Sequence, residues 1–133
     1  MSFKKYIIVT GSSGFIGKNL INQFVYKKDT KYIFVYKRNK PVLINSKFKN
    51  YIFLKLDLTK KNNFNKLPKK NVSIIYHLAA DPNTFAKYDS INSQFFSNTA
   101  MAMNIANYCK EIRVKYLFFA SSVYVYSGTK QNK

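Results

Sequence analysis

Residues 9–20 read VTGSSGFIGKNL, and this stretch constrains the chain more than any other. Gly11, Gly14 and Gly17 stand three residues apart, directly after a short β-branched run and directly before an amphipathic segment. Each glycine has a separate physical use. Gly11 permits a tight turn, Gly14 lets backbone approach a pyrophosphate with no Cβ in the way, and Gly17 lets the following helix pack closely. The N-terminus of that helix offers N–H groups and a partial positive charge to phosphates. A glycine triplet alone says little. A strand before it and a helix after it supply the context in which it reads as a dinucleotide-binding turn.

The remaining chain repeats the alternation of strand and helix. Residues 6–10 (YIIVT), 32–36 (YIFVY), 51–56, 72–78 (VSIIYHL) and 116–120 (YLFFA) read as five short buried strands. Residues 15–28 read as a helix, with Ile16, Leu20 and Phe24 on one face and Lys27 and Lys28 at the negative end of its dipole. Residues 37–50 read as mostly loop. Thr59 is placed to cap a short helix that ends before Pro68, and residues 79–83 form a turn. A long helix is expected over 90–110. Its inner face would carry Ile91, Phe95, Asn98, Ala102, Ile105 and Cys109, and the small Ala100, Ala102 and Ala106 would let it lie close to a sheet. Nearly continuous apolar strands separated by helices imply a parallel sheet covered on both faces. The expectation is therefore an α/β, doubly wound Rossmann domain over residues 1–133, with strand order 3-2-1-4-5. Its ligand crevice would lie between strands 1 and 4, at their carboxyl ends.

Composition narrows the function. The chain has 133 residues, 47% hydrophobic and 17% aromatic, enough to bury one core. It has no apolar run long enough to span a membrane, and the apolar N-terminal run is too short for a secretory signal. One cysteine, Cys109, excludes an internal disulfide and fits a buried thiol in a cytoplasmic protein. One histidine, His77, and no Cys/His cluster argue against a metal site. The formal charge of +18 attracts anions, whether cofactor phosphates or nucleic acid, or else reflects a lysine-rich composition with no binding role. No recognisable nucleic-acid motif accompanies the charge, so a nucleic-acid partner is disfavoured.

Several short motifs resemble, in order, those of the short-chain dehydrogenase/reductase superfamily, extended branch: the nucleotide-sugar epimerases and dehydratases. T-G-S-S-G-F-I-G resembles its glycine turn. His77-Leu78-Ala79-Ala80 is similar to its motif after strand 4, and Asp57-Leu58 to its Asp-hydrophobic pair. Asn98 to Asn104 is similar to its N-V-x-G-T-x-N segment, with Met101 in place of glycine and Ala102 in place of threonine. Residues 119–126 (FASSVYVY) resemble its strand-5 motif. The resemblance spans residues 5–128. It implies a nicotinamide dinucleotide held by Gly11, Ser13, Gly14, Phe15, Ile16 and Gly17 at the pyrophosphate, by Asp57 and Leu58 at the adenine, and by Ala79 and Ala80 behind the cofactor. It also implies hydride transfer at the carbon of a nucleotide-sugar, and a homodimer face on the 90–110 helix.

The choice of cofactor rests on strand 2. A site for NAD carries a carboxylate near the end of that strand to hold the ribose 2′-OH. Here the residues are VYKRNK, and Lys37 and Arg38 stand where a 2′-phosphate would be met. NADP is therefore favoured over NAD.

Such enzymes work with a serine, a tyrosine and a lysine. By motif position Ser122 is the serine, with Ser121 in its place if the register slips by one. Tyr126 and Lys130 have the four-residue spacing of the other two, but Tyr126 follows Ser122 too closely and Gly128 interrupts the helix they would need. The pair reads as a look-alike. The catalytic tyrosine and lysine are thus expected outside this chain, which reads as the N-terminal cofactor half of a longer enzyme, truncated before the final strands and the substrate domain, or completed by a partner chain. A catalytically inactive cofactor-binding or regulatory domain is the alternative. In either case the strand at 116–120 would be an apolar edge.

Overall fold

The computed structural model describes residues 5–24, 27–44, 50–81 and 88–122, with the side chains of 88–91 left aside. Five strands form one sheet: β1 (Lys5–Thr10), β2 (Thr30–Tyr36), β3 (Tyr51–Lys55), β4 (Val72–His77) and β5 (Tyr116–Phe119). All pairings are parallel and the order is β3-β2-β1-β4-β5, as the alternation of elements predicts. Helix α1 (Phe15–Asn22) follows β1, a 3-10 turn (Lys61–Lys66) follows β3, and helix α2 (Tyr88–Ile112) joins β4 to β5.

The register sorts side chains by type. Ile52, Ile33, Ile8, Ile75 and Leu117 are neighbours across all five strands, and so are Phe53, Phe34, Val9, Tyr76 and Phe118. Successive residues of a strand point to opposite faces. The aliphatic row therefore lies on one face, packed with Met101, Ile105, Tyr108 and Cys109 of α2 and with Phe64 and Leu67. The mainly aromatic row lies on the other face, with Ile21, Leu20 and Phe24. There Phe24 stacks on Tyr32 at 5.1 Å between centroids, and Phe34 meets Phe53 edge-on at 5.5 Å. Among the described residues β5 is the strand left uncovered: Tyr116, Leu117, Phe118 and Phe119 are all exposed, as expected for the edge.

Three local expectations are corrected. The first helix ends at Asn22, not 28. The Gln23 amide donates to the Leu20 carbonyl and the Phe24 amide to the Ile21 carbonyl, and Phe24 leaves the helix to join the aromatic core, where burial outweighs another turn of helix. Thr59 does not cap the 3-10 turn, whose N-cap is Lys60. Its amide and hydroxyl both bond Asp57 instead. The inner stripe of α2 runs through Met101, Ile105, Tyr108 and Cys109, while Phe95 and Ala106 face outward. Ile105 and Cys109 belong to both the expected and the observed stripe, which differ by a small rotation of the helix.

Candidate functional site

The carboxyl ends of β1, β2 and β4 open into one cavity of about 460 Å³. Its floor is the glycine turn, with Gly11, Ser13 and Gly14. Tyr36 to Lys40 form one wall, Leu78 to Asp81 the other, and Leu58, Ser97 and Met101 close the back.

The glycine turn is held from both sides. Gly11 has φ +66°, and a Cβ there would sit 2.6 Å from the Ala79 nitrogen. A Cβ on Gly17 would lie 2.2 Å from the Gly11 carbonyl oxygen, so α1 packs directly on the turn. Gly14 is the exposed N-cap of α1. It donates to the Gly11 carbonyl at 2.9 Å, and its own carbonyl accepts from Lys18 N–H. No side chain caps the helix, and no acidic residue lies in its first turn. First-turn amides have no acceptor within their own helix, so these are available to an anion. On the β2 side, the Ser12 hydroxyl and amide both donate to the Val35 carbonyl, at 2.9 and 3.1 Å.

On the β4 side the link is Thr10. Its hydroxyl accepts from Ala79 N–H at 3.3 Å and lies 2.8 Å from His77 Nδ1. His77 is buried between Thr10 and the Phe119 ring. Burial pushes its pKa down to about 4, so the ring is neutral. We assign its proton to Nε2, which leaves Nδ1 to accept from Thr10. The only histidine of the chain thus holds strand ends together.

Asp57 sits beside the cavity but does not line it. One carboxylate oxygen accepts from the amide and hydroxyl of Thr59, at 3.1 and 2.8 Å, and the other pairs with Lys37 at 3.4 Å. Burial alone would raise its pKa. The Thr59 hydrogen bonds and the Lys37 charge outweigh that, and the group ends below the ordinary carboxylate range. Lys37 is therefore engaged, whereas Arg38 is exposed, lines the cavity and has no ion-pair partner among the described residues.

Helix α2 is tied to the rim by its polar side chains. Asn98 Oδ1 accepts from Asp81 N–H at 2.7 Å, and Gln94 donates to the Asp81 carbonyl at 2.8 Å. One turn and a half further on, Asn104 donates to the carbonyls of Leu58 and Thr59, at 3.0 and 3.1 Å. The two asparagines of the Asn98–Asn104 motif therefore anchor the helix to the loops after β4 and β3.

Of the residues singled out by sequence, Gly11, Ser13, Gly14, Arg38, Leu58, Ala79 and Ala80 line one cavity. Phe15 and Ile16 are exposed at the start of α1, and Gly17 is buried beneath the turn. Ser122 is exposed beyond β5 and does not line the cavity. Tyr126 and Lys130 lie outside the described residues. Sequence reasoning missed Thr10, Ser12, Asp81 and Lys18. Lys18 had a readable signal: a cation near a helix N-terminus opposes the dipole, which invites the question of what anion it serves. Among the described residues no group of three or more His, Cys, Asp or Glu can hold a metal ion, and no helix is long and apolar enough to cross a membrane.

A parallel sheet of this order, with a glycine turn at its crevice, defines a Rossmann domain. Residues 7–133 match the family described as "NAD dependent epimerase/dehydratase family", and the chain belongs to that family. It is 30% identical over 96% of its length to the uncharacterized protein MJ1055 of Methanocaldococcus jannaschii, and 29% identical over 91% to a UDP-glucose 4-epimerase of Vibrio cholerae. A UDP-N-acetylglucosamine 4-epimerase from Methanobrevibacter ruminantium M1, solved with UDP-N-acetylmuramic acid, shares the fold over 100% of the chain, with a TM-score of 0.74 at 22% identity. The chain spans 42% and 36% of the two curated relatives and 44% of the solved structure.

Proposed function

We propose that this chain is the cofactor-binding part of an enzyme that transfers hydride at a carbon of a nucleotide-sugar, and that its dinucleotide is NADP rather than NAD. One observation carries the reading: Gly14, the N-cap of an α1 that no side chain caps, and Arg38, which has no ion-pair partner among the described residues, line the same cavity. The residues present fit such a cofactor. Gly14 leaves room at the helix N-terminus, Lys18 adds positive charge for a pyrophosphate, and Arg38 suits a 2′-phosphate by its planar fork of donors. Leu58 and Met101 give the back of the cavity an apolar surface for a base. When bound, the nicotinamide would accept and return hydride.

The roles of this chain's own residues follow. Ala79 and Ala80 present small side chains beside the turn and so leave width for the cofactor. Asp57, engaged by Thr59 and Lys37, acts on the adenine side by shaping the loop that carries Leu58. Ser122 is taken as the substrate-facing hydroxyl that assists the catalytic tyrosine. The outer face of α2, with Phe95, Phe96 and Met103 exposed, is the surface assigned to a homodimer. A cytoplasmic location accords with the free, buried Cys109.

Fluorescence titration of the purified chain with NADPH and NADH tests the cofactor assignment. NADPH is expected to bind about tenfold more tightly, and Arg38→Ala to abolish that preference while leaving NADH binding unchanged. Equal or tighter binding of NADH would overturn the NADP assignment. Failure of both to bind would overturn the dinucleotide reading.

A further inference from the structure

In a parallel sheet every strand begins at the same end, opposite the crevice. That end is strongly basic here. Lys27, Lys28 and Lys31 flank the start of β2, and Lys5 opens β1. Lys69 and Lys70 lead into β4, and Arg113 and Lys115 lead into β5. The order β2-β1-β4-β5 makes these neighbours in space. The Lys5 amide bonds the Asp29 carbonyl at 3.3 Å and the Tyr6 amide bonds the Asn71 carbonyl at 2.8 Å, which draws the loops before β2 and β4 against β1. At the usual strand spacing the cations line a rim roughly 15 Å long. Only Asp29 and Glu111 oppose them among the described residues, and Glu111 is already paired with Lys69 at 3.3 Å.

The cofactor site does not explain this charge, because it lies at the other end of the strands. The C-terminus of α2 also points here and takes up part of it, but a helix end amounts to only about half an elementary charge. Tyr116 stands half-exposed at the β5 end of the rim, with the Lys115 ammonium 5.2 Å from its ring centroid. A row of cations ending in an exposed aromatic suits a polyanion with stacking groups better than a lipid surface, which would call for more apolar side chains on the rim.

We propose that the amino-terminal edge of the sheet binds the phosphodiester backbone of a nucleic acid, as a surface separate from the crevice.

The test compares two triple variants with the same change in net charge. Lys28→Glu, Lys70→Glu and Lys115→Glu alter the rim. Lys55→Glu, Lys60→Glu and Lys61→Glu alter the opposite end, outside the cavity lining. Binding of a labelled single-stranded oligonucleotide is followed by anisotropy across a salt series, and far-UV circular dichroism checks folding. A second rim triple, to Gln, stands in should the Glu variant fail to fold. The rim variant is expected to bind at least about tenfold more weakly and to lower the salt slope by about 2 or more, with the opposite-end variant within about twofold of wild type. Equal weakening by both variants would show a net-charge effect and overturn the proposal. So would failure of the wild-type chain to bind the oligonucleotide, and so would binding to phosphatidylserine vesicles but not to the oligonucleotide.

Discussion

The hydroxyl of Thr10, the last residue of β1, lies 2.8 Å from Nδ1 of His77, the last residue of β4. The same hydroxyl takes the Ala79 amide, so one oxygen holds the wall of the crevice to its floor. His77 keeps this arrangement only while neutral. Its pKa of about 4 in the folded chain stands against an ordinary value of 6.5. Between these values the unfolded chain takes up a proton that the folded chain refuses. Stability is therefore fully present above about pH 6.5 and falls as pH drops toward 4, by roughly 3 kcal/mol. Urea unfolding at a series of pH values should show this slope, and His77→Gln should flatten it. The single imidazole signal by NMR should titrate near 4.

Thr10→Val keeps the shape of the side chain and removes the hydroxyl. The Ala79 amide and the buried His77 nitrogen both lose a partner, at a cost of about 1–3 kcal/mol. A urea midpoint unchanged from wild type would contradict the role given to this oxygen.

The three glycines are not equivalent. Gly17→Ala forces a methyl to 2.2 Å from the Gly11 carbonyl and should cost about 1–3 kcal/mol in thermal unfolding. Gly14→Ala meets that carbonyl at 3.2 Å and should change stability by less than about 1 kcal/mol. Under the proposed function it should still weaken NADPH binding, because the new methyl stands at the helix N-terminus. Loss of stability without loss of binding at Gly14 would reverse that assignment.

Asn104→Ala removes the two hydrogen bonds that its amide donates to the Leu58 and Thr59 carbonyls after β3. The loss should be about 1–3 kcal/mol, since two carbonyls are left wanting. Hydrogen exchange should quicken in residues 56–60 before it does in the strands.

The open edge should govern solubility. Leu117→Lys places a charge on β5, in a residue that is already 38% exposed. Concentration-dependent light scattering is expected to fall while the unfolding midpoint stays within about 0.5 kcal/mol of wild type.

Much of this architecture was legible because parallel strands buried on both faces read as unbroken apolar runs. Residues 6–10, 32–36 and 72–78 announce themselves in that way, and the glycine spacing identifies which strand is β1. Boundaries set by tertiary packing were not legible. Phe24 continues the helical period of α1 yet stacks on Tyr32 instead, a choice visible only once β2 is beside it. The α2 stripe was misplaced for a related reason. Phe95 and Met101 are both apolar, and only the position of the sheet decides which of them faces it. At the site, the glycines and Arg38 could be found from residue type and spacing. Thr10, Ser12 and Asp81 could not, because a hydroxyl or a main-chain group that braces a loop looks like any other until its partner is seen.

The two rows that cross the sheet meet in adjacent residues of β1. Ile8 belongs to the aliphatic row and Val9 to the aromatic one, and both are wholly buried. A slip of one position would send each into the wrong core. The central strand thus acts as a common partition whose phase both halves must accept together. The α1 side cannot be repacked or melted without disturbing the α2 side, so the chain should unfold in a single transition even though its two cores never touch the same face.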